Sequence, residues 1–265
     1  MNGSLSTLSV LNFILLYCQF VGILSVFLNA CIILDTVITL VNTTHSEGTM
    51  IQKMLTIVFL VFSLTGISRA QDTAKDLEGV LAQKPNDVET LMKLGRIYHD
   101  QGVAGNNDAV DKGFTCFDKV LQLDPSNAVA LVYRGSLWTL RARDAWWPFT
   151  KMKDVDKGVD EMDKAVDLAP DNVSVRLVRA INSVNLPSMF RRLPIALKDF
   201  EYLMNDSKFA GYNLHLQSTI YCWAGIAYNN DGQAAKAKEL LQKAVSADPN
   251  SETAKKAENE LKKIS

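Results

Sequence analysis

The chain is poor in the side chains that usually carry catalysis or hold a metal. Its 265 residues include three histidines and four cysteines. It contains no HExxH or GxSxG motif, no phosphate-binding loop and no paired CxxC motif. Neither His99 nor His215 has a second candidate ligand at metal-binding spacing. We therefore expect no catalytic residue, no cofactor, no metal and no enzyme activity.

The chain also lacks an excess of charge and a disulfide framework. Its formal net charge is −1, which does not suggest a nucleic-acid partner. After residue 70 only Cys116 and Cys222 remain, on predicted helices far apart in sequence. We predict that both are small buried residues, with a disulfide as the alternative. An exported protein without a disulfide framework suits a bacterial envelope better than an animal secretory route.

The first 70 residues are apolar, and no charged side chain precedes Asp35. Residues 11–34 are long enough for a membrane span, which needs about 20 apolar residues. Residues 53–71 have the form of a secretory signal peptide, with a basic start, an apolar centre and small residues before a polar stretch.

Two interpretations of this region remain open. Translation could begin at Met50 or Met54, so that residues 50–70 are the signal peptide and residues 1–49 belong to an over-extended gene start. Alternatively, both runs are membrane segments with Lys53 in the cytoplasmic turn. Either interpretation predicts an exported domain, periplasmic or membrane-anchored and facing the periplasm, which meets the membrane only through its N-terminal segments.

Four of the seven prolines end amphipathic helical runs, at Pro85, Pro125, Pro170 and Pro249. Proline cannot continue a helix and disfavours helical geometry in the residue before it. Asn, Asp or Ser follows each of these prolines, and these residues can cap the next helix. The pattern predicts a row of helix pairs, an architecture that provides a surface and usually no catalytic group.

The clearest pair lies in residues 218–249. Small residues, Gly225 and Ala237, stand where two helices would cross, and Tyr228 and Leu241 fill the space between helices. This spacing resembles a tetratricopeptide repeat, whose period is about 34 residues. The resemblance implies an all-α, right-handed solenoid in residues 71–265. Its expected parts are units near 87–125, 127–170, 172–208 and 218–249, and a capping helix at 251–263.

The first three units are longer than the family period by roughly six, eleven and four residues. We expect these insertions to fall between the two helices of each unit and to project from one edge. Trp and Arg are frequent at binding hot spots. The predicted partner-binding edge therefore comprises Trp146, Trp147, Phe149, Met152, Phe190, Arg191 and Arg192. Alternatively, these aromatic side chains pack against one another and brace the long loops.

The resemblance also implies a groove lined by the first helix of each pair. Its predicted residues are Met92, Arg96, Val129, Val132, Leu140, Leu177, Ile181, Val184, Ile226 and Asn229. The set of Lys, Arg and Asn with which relatives clamp chaperone C-termini is missing. The middle of the groove is apolar, so it either accepts an apolar peptide or a lipid-like ligand, or is covered by a tight superhelix.

The sequence therefore favours a non-catalytic scaffold of the cell envelope that binds a protein or peptide segment. The alternative is a periplasmic carrier that holds a small apolar or lipid-like ligand in the groove. An open, deep groove would favour the carrier, whereas a filled groove with exposed tryptophans would favour the scaffold.

Overall fold

The computed structural model describes residues 73–264, which lie in a compact unit that spans Asp72–Ser265. This part of the chain contains ten α-helices and two short 3-10 turns, and no strand. None of its helices is long and apolar enough to cross a membrane. The predictions for residues 1–49 and 50–70 fall outside the described residues.

The helices follow one another with short connections, so consecutive helices pack as antiparallel neighbours. Residues 73–83 form α1. The others are α2 (Val88–Val103), α3 (Asn107–Leu123), α4 (Ala128–Asp144), α5 (Pro148–Leu168), α6 (Val173–Asn185), α7 (Leu193–Asn205), α8 (Leu214–Asn230), α9 (Ala234–Ala247) and α10 (Glu252–Ile264). The 3-10 turns are Ser188–Phe190 and Phe209–Gly211.

The residue two positions after each helix-ending proline caps the next helix. In every case a side-chain oxygen accepts a hydrogen bond from the backbone N–H three residues later, which satisfies one of the free donors of the first turn. The bonds join Asp87 to Thr90 (2.9 Å), Asn127 to Ala130 (3.0 Å), Asn172 to Val175 (3.2 Å) and Ser251 to Ala254 (3.0 Å). Capping just beyond each proline is therefore confirmed, but the capping side chain stands one residue later than the residue that directly follows the proline.

Small residues let the two helices of a pair approach closely. A Cβ added to Gly225 would lie 2.7 Å from the Leu241 side chain and 3.2 Å from the carbonyl oxygen of Ala237. The predicted close crossing of α8 and α9 at these residues is therefore confirmed. Around the crossings, Phe117, Phe200 and Tyr228 are almost completely buried. Burial of side chains of this size stabilises the fold by about 2–3 kcal/mol each.

The extra residues of the first two units lengthen helices and do not form projecting loops, which corrects the sequence-based expectation. Only residues 104–106 connect α2 to α3, and only residues 145–147 connect α4 to α5. Pro148 opens α5 because its ring already has the helical φ angle and the first turn needs no N–H there. A longer connection, residues 186–192, occurs between α6 and α7.

Candidate functional site

Four apolar side chains at the junction of α4 and α5 are exposed to solvent. Trp146 is 86% exposed, Phe149 76%, Trp147 48% and Met152 44%. The rings lie together, with centroids 5.3 Å apart for Trp146 and Trp147 and 6.0 Å apart for Trp147 and Phe149. We call these four residues the aromatic corner. Exposed tryptophans that lie side by side are frequent at binding surfaces of proteins.

The rings stay outside because the space between α4 and α5 is already filled. Gly135 and Gly158 bring the two backbones together, and Met162 fills the remaining space with no exposed surface. The three-residue connection is too short to fold back over this contact. The two alternatives drawn from the sequence thus describe different aspects of the corner: the rings contact one another, and they remain exposed.

The corner is held in place by arginine contacts behind it. Arg143 binds Asp144 at 2.8 Å and donates to the carbonyl oxygen of Gly102 at 3.0 Å, which ties the end of α4 to the end of α2. Arg141 donates twice to Asp154, at 3.0 and 3.1 Å, and so ties α4 to the start of α5. These bonds fix the end of α4 and the start of α5, and so hold the backbone of the corner in place.

A cleft of about 330 Å³ opens beside the corner, between the start of α3 and the α4–α5 junction. Its lining includes three carboxylates and one guanidinium, those of Asp111, Asp144, Asp154 and Arg141. Ala145 and Thr150 also line it, and in sequence they enclose Trp146 to Phe149. The cleft and the aromatic corner are therefore neighbours.

The predicted edge is not one continuous surface, which is a second correction. Arg192 donates to Asp163 at 2.9 Å and its side chain is 11% exposed, so it is not a free binding group. Asp163 lies on α5, about 24 Å along the axis from Trp147. Among the described residues, no ring contact joins Phe190 to either tryptophan. Arg191 is exposed, at a positive φ of 54°.

Buried ion pairs explain why Arg192 turns inward. Asp199 has no exposed surface and binds Arg176 at 2.7 Å and Arg179 at 2.8 Å. Arg179 also binds Asp163, so a chain of charges runs from α7 through α6 to α5 and ends at Arg192. The chain joins the second and third units, and its members stabilise the solenoid and are not available to a partner.

The groove predicted from the first helices is mostly half-buried. This description fits eight of its residues, namely Met92, Val129, Leu140, Leu177, Ile181, Val184, Ile226 and Asn229, whereas Arg96 is exposed. Val132 has no exposed surface and packs with Met162 and Val175. Its assignment to the groove is wrong, because neighbouring units meet at this position and exclude solvent.

A polar network missed by the sequence analysis joins three first helices. His99 Nε2 lies 2.8 Å from Ser136 Oγ, and Asn182 donates to the same oxygen at 2.6 Å. Thr139 donates to the Asn182 carbonyl oxygen at 2.6 Å. Only the tertiary structure brings His99 and Ser136 together, because they lie 37 residues apart in sequence. The sequence does carry a signal for this network. A polar residue recurs on the first helices of consecutive units, which are otherwise apolar on this side.

This network has the order of a Ser–His–Asp triad, because Asp100 lies 3.2 Å from His99 Nδ1. Geometry and access decide what it can do. Ser136 is 2% exposed, and its oxygen is already occupied by His99 and Asn182. Neither cavity described in residues 73–264 is lined by Ser136. The hydroxyl is therefore almost closed to solvent in this arrangement, and the network joins α2, α4 and α6.

A larger cavity, of about 680 Å³, is lined by residues of α1, α2 and α3. Its apolar lining includes Leu81, Leu91 and Leu94, and Lys112 lies at its rim. Lys112 is occupied by Glu78 and by the ring of Tyr98. None of the predicted groove residues lines this cavity or the smaller cleft.

Comparisons with known proteins agree with this geometry. A family model described as tetratricopeptide repeat matches residues 218–251. The solved structure of a thermophilic tetratricopeptide repeat protein from Thermus thermophilus superposes with a TM-score of 0.59 at 14% identity, covering 77% of this chain and 95% of that chain. The described domain has the fold of a tetratricopeptide repeat solenoid, and residues 218–251 match the repeat itself. The all-α fold class predicted from the sequence is confirmed.

Two other tetratricopeptide structures are similar with lower TM-scores. YrrB, described as a tetratricopeptide protein with an unusual peptide-binding site, gives 0.42 at 15% identity and covers 84% of this chain and 97% of that one. A protein from Parabacteroides merdae gives 0.40 at 15% identity, with 94% and 98% covered. No curated protein matches the chain significantly.

Proposed function

We propose that this tetratricopeptide domain is a non-catalytic scaffold of the cell envelope that binds a protein or peptide segment at its aromatic corner. The fold class serves protein interaction in general. The observation that carries the proposal is the exposure of Trp146 and Phe149, which lie at a corner that arginine hydrogen bonds hold in place. Burial of such side chains in a partner is a common source of binding energy.

Location outside the cytoplasmic membrane is the second part of the proposal. Its support is the signal-like sequence of residues 53–71. Fusion of alkaline phosphatase after residue 265 tests it, because this reporter is active only after export. We expect an active full-length fusion and an inactive one when residues 1–71 are removed. Activity of neither fusion, with both proteins present in the cell, contradicts the envelope location.

Affinity capture from an envelope extract tests the binding surface. The bait is residues 72–265, which contain all the described core. It is compared with a variant that carries Trp146→Ala, Trp147→Ala and Phe149→Ala. Leu214→Ala is the matched control, because Leu214 is also a large exposed side chain, at the start of α8.

A partner identified by mass spectrometry is then purified and titrated against the three baits. We expect binding to the wild type and to Leu214→Ala, and a loss of at least tenfold in the aromatic variant. Circular dichroism must show unchanged helical content in that variant. Equal binding by all three baits removes the corner from the proposal.

The small-ligand carrier gains no support from the cavities. The predicted groove residues line neither cavity, and most of them are half-buried by neighbouring helices. We therefore propose the scaffold alone.

A further inference from the structure

We infer that the aromatic corner and the adjacent cleft bind one extended peptide segment, in which a lysine or arginine stands two residues from an aromatic or large aliphatic residue. The inference rests on the proposed function, because it describes the partner of the same surface. The apolar side chain lies on Trp147 and Phe149, and the cationic side chain enters the cleft towards Asp111.

The first argument rests on the positions of the aromatic corner and the cleft. Ala145 and Thr150 line the cleft, and the aromatic residues from Trp146 to Phe149 lie between them in the chain. A segment that covers the rings can therefore also reach the cleft. Residues i and i+2 of an extended peptide lie about 7 Å apart and their side chains point to the same side, so two such side chains can occupy both places at once.

The second argument, for a cationic side chain in the peptide, rests on the charges that line the cleft. Asp154 is bound by Arg141, and Asp144 is bound by Arg143. The carboxylate of Asp111 has no cationic partner among the described residues. Thr115 donates a hydrogen bond to Asp111, but the acceptor is the backbone carbonyl oxygen. An incoming cation therefore meets a free carboxylate, whereas an incoming carboxylate meets an uncompensated like charge. Such complementarity determines which partner is accepted.

The same charges favour a basic peptide over an anionic membrane surface. Exposed tryptophans beside Lys151 and Lys153 would suit the headgroup region of a bilayer. However, Asp111 lines the cleft beside the rings without a counter-charge, and anionic lipid would repel it. Lys151 also donates to the carbonyl oxygen of Arg143 at 3.3 Å. We treat bilayer binding as the competing outcome.

Selection from a random peptide library displayed on phage tests the inference, with residues 72–265 as the target. The compared targets are the wild type, Trp146→Ala with Trp147→Ala, and Asp111→Lys. Asp167→Lys is the matched control: it makes the same charge change at an exposed position of α5, about 20 Å along the helix from Asp154.

We expect the wild type and Asp167→Lys to enrich peptides with Lys or Arg two positions from Trp, Phe or Leu. The tryptophan variant should enrich none of them, and Asp111→Lys should enrich peptides with Asp or Glu in place of the basic residue. A synthetic copy of a selected basic peptide should bind Asp111→Lys about tenfold more weakly than the wild type.

The other outcomes separate this inference from the proposed function. Peptides that need the tryptophans but show no basic preference, or that bind Asp111→Lys unchanged, overturn the inference and leave the scaffold proposal standing. Peptides that bind the tryptophan variant as well as the wild type overturn both. Sedimentation with vesicles of phosphatidylcholine and phosphatidylglycerol, lost in the tryptophan variant and without peptide enrichment, assigns the corner to lipid and also overturns both.

Discussion

Gly135 and Gly158 meet backbone to backbone at the crossing of α4 and α5. A Cβ added to Gly135 would lie 2.7 Å from the carbonyl oxygen of Gly158, and one added to Gly158 would lie 2.6 Å from the carbonyl oxygen of Gly135. A backbone oxygen cannot rotate away as a side chain can. This contact sets the distance between α4 and α5, which together form the longest helix pair among the described residues. It thereby fixes the position of the aromatic corner, which lies at their junction.

Gly135→Ala should lower the free energy of unfolding by about 2 kcal/mol, because the added methyl group forces the two backbones apart. Urea unfolding followed by circular dichroism measures the change. Gly79→Ala is the matched control, since no atom lies within 4 Å of its added Cβ. There alanine should leave stability unchanged or raise it by up to about 1 kcal/mol, through its higher helix propensity. Equal effects of the two changes would contradict the close crossing.

Asp199→Asn should destabilise the domain by about 3 kcal/mol. The substitution keeps the shape of the side chain but leaves the buried guanidinium group of Arg176 without its counter-charge and leaves Arg179 with Asp163 alone. Chemical denaturation of both proteins provides the measurement. Asp167→Asn, at an exposed position, should stay within about 0.5 kcal/mol of the wild type. A small effect at Asp199 would mean that the buried ion pairs between α6 and α7 do not stabilise the third unit.

Ser136→Ala should cost about 1–3 kcal/mol, because His99 and Asn182 both lose a buried partner. The exposed Ser246→Ala, in α9, serves as the control and should change stability by less than about 0.5 kcal/mol. In the folded wild-type domain, Ser136 should not react with a fluorophosphonate probe, since the hydroxyl is out of reach of solvent. Labelling of Ser136 would refute its purely structural role.

Cys116 and Cys222 are buried and free, as the sequence predicted, and burial raises the pKa of each thiol to about 11. Both should resist a thiol reagent at pH 8 in the folded domain and react once it is unfolded. The folded state favours the protonated thiol, so this contribution to stability is present below pH 9 and is lost as the pH rises through 11.

Melting temperatures measured from pH 8 to pH 11 test the sign of this effect. The wild-type melting temperature should fall more steeply than that of Cys222→Ala, which has one thiol fewer to ionise on unfolding. Parallel curves would show that the Cys222 thiol ionises equally easily in both states.

The sequence by itself determined the helix pairs and the boundaries between them. Proline stops a helix wherever it occurs, and a following Asp, Asn or Ser caps the next one, because both effects act within a few residues of the chain. For the same reason the small residues at Gly225 and Ala237 were sufficient to recognise the last repeat. The sequence left two alternatives open for adjacent Trp146 and Trp147, a binding edge or a brace for the loops.

Only the tertiary structure decided which side chains are free. Arg192 contacts Asp163, and Ser136 contacts both His99 and Asn182, across 29 or more residues of sequence. Such pairs depend on the twist between units and on helix lengths, which a repeat pattern leaves open. The extra residues of the second unit extended α5, and this separated the aromatic corner from the third unit. A surface made from several units is therefore a property of packing, whereas each unit is a property of local sequence.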